Sequence, residues 1–132
     1  MRIEKSILTL YILCFIGFGL PGFFMPDQFA VLLQYRFSNP AGKTEFVAAY
    51  GGLIVGLGFY LIYCLQTNIR AGLMCVVITI ASLFAGRLIG FFMGGEIDNV
   101  QLTFLTLELI TILLVGTILI KGKLCKESML SQ

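Results

Sequence analysis

Two charged side chains stand inside long apolar stretches, Arg87 in FAGRLIGFF (84–92) and Glu108 in LTFLTLELITILL (102–114). A charge at the centre of a membrane-spanning helix costs roughly 2.5–3.5 kcal/mol, so each needs a partner, water or a task. Three kinds of chemistry are open to them. They can neutralise one another as an ion pair. Arg87 can hydrogen-bond the polar head of an amphiphile. Glu108 can move a proton as a general acid or base. The chain has no histidine, which removes imidazole metal sites, histidine bases and every triad built on them. Cys14, Cys64, Cys75 and Cys125 form no C-x-x-C pair, so free thiols are expected rather than a redox motif or disulfide framework. Neither a metal nor another cofactor is expected.

The elements that must position these residues follow from composition. The 132 residues are 58% hydrophobic and 12% charged, with a mean hydropathy of +0.98; a soluble domain carries about twice that charge. Four apolar runs approach or exceed the roughly 20 residues that cross a bilayer as a helix, at about 7–25, 41–65, 71–93 and 100–120. Pro21, Phe23 and Phe24 stand where a signal peptide would carry small residues, so the first run reads as a retained helix, kinked or ended near Pro21. Asn39 and Pro40 suit the cap and first position of the second helix. Residues 27–36 are too short and polar to span, and read equally as an interfacial helix or a connecting loop. The expected architecture is a single domain, an all-α integral membrane four-helix up-down bundle. Arg2, Lys5, Arg70, Lys121, Lys123 and Lys126 outnumber Arg36 and Lys43 on the opposite side, which places both termini in the cytoplasm and the protein in a bacterial inner membrane. The small formal charge of +2, with no basic run interleaved with aromatics, argues against a nucleic-acid partner.

GGEIDN (94–99) joins the third and fourth runs so tightly that they should be antiparallel neighbours. Arg87 then lies about 9 Å below the outer end of its helix and Glu108 about 12 Å below the same surface, at 1.5 Å per residue. The matching depths make an Arg87–Glu108 pair the cheapest way to keep both charges; the alternative is that Arg87 snorkels to the headgroups. Glu45 and Tyr50 are further polar candidates near the outer end of the second helix, although an acid there is also stabilised by the helix dipole. Thr103, Thr106 and Thr111 can add donors or bond their own backbone. Small residues recur every fourth position at Ala48, Gly52 and Gly56, and at Ser82, Gly86, Gly90 and Gly94. Such faces allow close helix packing, within one chain or between copies.

EFVAAYGGLIVGLGFYL, AGRLIGFFMGG and LTFLTLELI together resemble the bacterial membrane proteins grouped as domain of unknown function 4345. The likeness spans most of the chain and rests on Glu45, Tyr50, Gly51, Gly52, Gly56, Gly58, Arg87, Gly90 and Glu108. It implies a four-helix integral membrane protein with these residues as its signature. In architecture alone the chain is also similar to DoxX-like proteins and to the sterol-isomerase and sigma-2-receptor group, an analogy that carries no activity.

Three functions compete. The first is a non-catalytic binding protein with a pocket in the outer half, lined by Glu45, Tyr50, Arg87 and Glu108, for a lipid, isoprenoid or quinone-like amphiphile; Phe84, Phe91 and Phe92 would border its tail. The second is a membrane enzyme using Glu108 as general acid or base. The third is an accessory or structural subunit whose glycine faces meet another membrane protein or a second copy.

Overall fold

The computed structural model describes residues 2–95 and 98–130. Glu96 and Ile97 of the acidic turn lie outside them, as do the side chains of Arg2, Lys123, Cys125 and Lys126. Among the described residues the chain is all helical, with no strand. We number the helices α1 (Arg2–Phe24), α2 (Pro26–Leu32), α3 (Pro40–Thr67), α4 (Ile69–Phe92) and α5 (Asn99–Leu130). All but α2 are long and apolar enough to cross a membrane, over Ile3–Phe24, Pro40–Thr67, Ile69–Phe92 and Asn99–Lys121. The fold divides into two compact units, Met1–Ile69 and Arg70–Gln132.

In the first unit α1 runs through Pro21 to Phe24 rather than ending at the proline. Pro21 brings no N–H to the Gly17 carbonyl, but its own carbonyl accepts from Met25 N–H at 2.9 Å and the helix closes normally beyond it. Pro26 starts α2 one residue later. This helix is shorter than the 27–36 stretch and stops in a Schellman turn: Gln34 has φ +61°, Tyr35 N–H donates to the Ala30 carbonyl and Gln34 N–H to Val31. The turn sends Tyr35 back toward α3. Asn39 caps α3 as expected, its Oδ1 accepting from Gly42 N–H at 2.7 Å with Pro40 in the first turn. Lys43 Nζ reaches Asp27 at 2.6 Å and ties α3 to α2 through a half-exposed ion pair, a contribution of about 0.2–1 kcal/mol.

The second span is not uniform. Val47–Leu53 winds as a π-helix between two α-helical stretches, and the buried positions explain its place. Phe46 and Gly51 are both buried, five residues apart, whereas Val55, Gly58, Leu61 and Cys64 follow at α-helical steps. Five residues overshoot an α-helical turn and would carry Gly51 off the buried face; the wider π turns keep it there. Glycine then sets how near α1 and α3 come. A Cβ on Gly22 would stand 2.8 Å from Gly51 N and the Tyr50 carbonyl carbon, one on Gly19 2.7 Å from Val55, and one on Gly58 2.6 Å from Ile16.

The second unit consists of α4, the turn after it and α5. Gly94, at φ +95°, lets the chain leave α4. Asp98 opens α5, its Oδ1 accepting from Gln101 N–H at 2.7 Å and its carbonyl from Leu102 N–H at 2.9 Å. The helix continues past the anticipated end near 120 to Leu130.

Candidate functional site

The pair expected between α4 and α5 is formed. Arg87 Nε donates to Glu108 Oε1 at 2.9 Å, and Nη1 donates to Gln101 Oε1 at 2.5 Å. The guanidinium carbon also stands 4.8 Å from the centre of the Phe104 ring, the geometry of a cation–π contact. Gln101, Phe104 and Glu108 are spaced by three and four residues and share one face of α5. A single arginine on α4 therefore engages a stripe two turns long. The Asp98 cap serves the same stripe, because the backbone it fixes carries Gln101.

Burial is unequal within the pair. The Glu108 side chain is 7% exposed and that of Arg87 24%. Glu108 Oε2 is fully buried and has no hydrogen-bond partner among the described residues. Buried carboxylate oxygens ordinarily find a donor, and the desolvation penalty of one left without is 1–3 kcal/mol or more, so this atom calls for a specific explanation.

Glu45 is exposed on α3, in the first unit. Tyr50, in the same unit, stacks on Phe46 at 4.6 Å and shares a 2.8 Å hydrogen bond with the Tyr35 hydroxyl. Phe46 is the hub of an aromatic cluster that also takes in Phe29, Tyr35 and Phe37. In the first unit the close contacts run through Gly19, Gly22, Gly51 and Gly58; a Cβ on Gly52 would meet only Phe23 Cζ at 3.9 Å, and one on Gly56 nothing within 4 Å. Within the second unit Gly86 and Gly90 are likewise open. Phe84 and Phe91 are half-buried and Phe92 is 90% exposed. Thr103, Thr106 and Thr111 each bond the carbonyl four residues back, at Asn99, Leu102 and Leu107. Among the described residues Cys14, Cys64 and Cys75 form no disulfide. No group of three or more Cys, Asp or Glu among the described residues is placed to hold a metal ion.

A family model described as Domain of unknown function (DUF4345) matches residues 3–119. The chain belongs to the DUF4345 family. No curated protein and no solved structure matches it. The DUF4345 match takes in all four apolar spans nearly to the end of the last, and with them Arg87, Gln101, Phe104 and Glu108. The polar stripe is thus part of the family domain itself.

Proposed function

We propose that this DUF4345 protein is a multi-pass protein of a bacterial inner membrane that binds an amphiphile, such as a lipid, isoprenoid or quinone-like molecule, at Arg87, Gln101 and Glu108. The four apolar spans and the excess of lysine and arginine on one side support alternating spans with both termini cytoplasmic. The observation that carries the binding reading is Glu108 Oε2, buried and without a partner among the described residues, beside an already engaged arginine. Arg87 and the Gln101 amide supply donors, and Glu108 supplies an acceptor, for a polar head; apolar side chains on the same helices suit a tail. Native mass spectrometry of the chain with co-extracted lipids, against Arg87→Gln and Glu108→Gln, tests the reading. A specific small molecule retained by the original chain and lost in both folded variants supports it; retention that ignores both substitutions refutes it.

A second reading has its own observation. Arg87 grips two residues a full two turns apart on α5, which is also how a buried polar group would fix helix register. On that reading the protein is an accessory subunit or homo-oligomer, and the open Gly56, Gly86 and Gly90 suit contact with another helix. No retained small molecule, together with a reproducible stoichiometric protein partner in mild detergent, would favour it.

A further inference from the structure

Glu108 Oε2 sets a chemical requirement on whatever completes it. Its sister oxygen accepts from Arg87 Nε at 2.9 Å, while Oε2 is buried with no partner among the described residues. An ionised carboxylate only accepts hydrogen bonds, so the missing group must carry an O–H or N–H. The surrounding charges sort the candidates. Arg87 and Glu108 cancel, and Asp98 adds a negative charge at the start of the same helix, where its Oδ1 holds Gln101 N–H. A phosphate or carboxylate head would set a further anion beside Oε2. An ammonium head can donate to Oε2 but has no lone pair with which to accept from Arg87 or the Gln101 amide. A ketone or ether has no hydrogen to give. A neutral hydroxyl meets none of these conflicts: its O–H donates to Oε2, and its oxygen accepts from the N–H donors that Arg87 and the Gln101 amide carry.

We infer that the head recognised at Glu108 is a neutral alcohol, so that the site takes a hydroxyl-bearing amphiphile in preference to its phosphate, amine or ether. In a quinone-like pair it takes the quinol. The inference rests on the amphiphile-binding reading above. Farnesol, farnesyl methyl ether, farnesylamine and farnesyl phosphate share one tail and test it, with the same four heads on a dodecyl tail as a repeat. Occupancy is read by native mass spectrometry on the full chain in mild detergent. The alcohol should bind about tenfold or more tighter than the ether, the loss expected for one hydrogen bond to a charged group. Glu108→Gln should bring alcohol and ether within about twofold of each other. An ether that equals the alcohol, or a phosphate or amine that exceeds it, overturns the inference. In that case a co-extracted molecule kept by the original chain and lost in Arg87→Gln leaves amphiphile binding standing; retention of no probe and no co-extracted molecule removes both. Should Glu108→Gln fail to fold, the alcohol-to-ether ratio on the unaltered chain decides the matter.

Discussion

Removing Arg87 should cost more than removing Glu108, although each deletes the same ion pair. Unit charges 2.9 Å apart attract by about 6 kcal/mol at an effective dielectric of 20, and the desolvation of both groups offsets much of that. What a single substitution leaves behind decides its cost. Arg87→Gln strands a carboxylate whose side chain is only 7% exposed, whereas Glu108→Gln strands a guanidinium at 24%, on a stem long enough to reach toward the interface. Breaking a buried pair costs about 3–5 kcal/mol when the survivor has no escape, so we expect about 3 kcal/mol for Arg87→Gln and about 1–2 kcal/mol for Glu108→Gln. The double variant should be less destabilised than Arg87→Gln alone, because no charge is left without its counterion. Denaturant titration of all four chains in the same micelle closes the cycle. Additive costs, with a coupling below about 0.5 kcal/mol, would refute the reasoning, since they would mean that the two side chains do not interact.

Glycine substitutions should separate the packed from the open positions. Gly22→Ala places a methyl 2.8 Å from backbone atoms of Tyr50 and Gly51 and should destabilise by about 1–3 kcal/mol, while Gly56→Ala, with nothing within 4 Å, should be neutral or gain up to about 1 kcal/mol from helix propensity; the same titration reads both. Gln34→Gly relieves a left-handed residue at φ +61° and should add about 0.5–1 kcal/mol. Tyr50→Phe removes its hydroxyl bond to Tyr35 and should cost under about 1.5 kcal/mol. Tyr50→Ala also loses the stack on Phe46 and should cost about 2 kcal/mol or more, seen as a lower unfolding midpoint.

The spans are legible because length and apolarity alone define a membrane-crossing helix, and the ion pair because Arg87 and Glu108 are the deep charges of the two runs that a short turn forces together. Gln101 and Phe104 carry a usable signal too: steps of four and three back from Glu108 reach Phe104 and then Gln101 on the same face. The π turns left no such trace. Residues 46–58 contain almost no polar side chain, and without a polar face the apolar pattern has no phase to report. The glycine contacts were hidden for a related reason. A fourfold repeat marks a face that could pack, but the partner chooses the face, and here α1 meets Gly51 and Gly58 rather than Gly52 and Gly56.

The π-helical turns of α3 also make its two halves independent in rotation. In an uninterrupted α-helix every residue is locked to the next at about 100°, so adding or deleting one residue swings everything beyond it around the axis. Val47–Leu53 absorbs such a mismatch: ahead of it Phe46 keeps its place among the aromatic rings, and behind it Val55 and Gly58 keep theirs against α1. Cutting one residue from this stretch would straighten the backbone hydrogen bonding and, by the same act, turn one half of the helix out of alignment with its neighbours. The surplus residue works as a phase correction between two packing surfaces that a regular helix could not serve together.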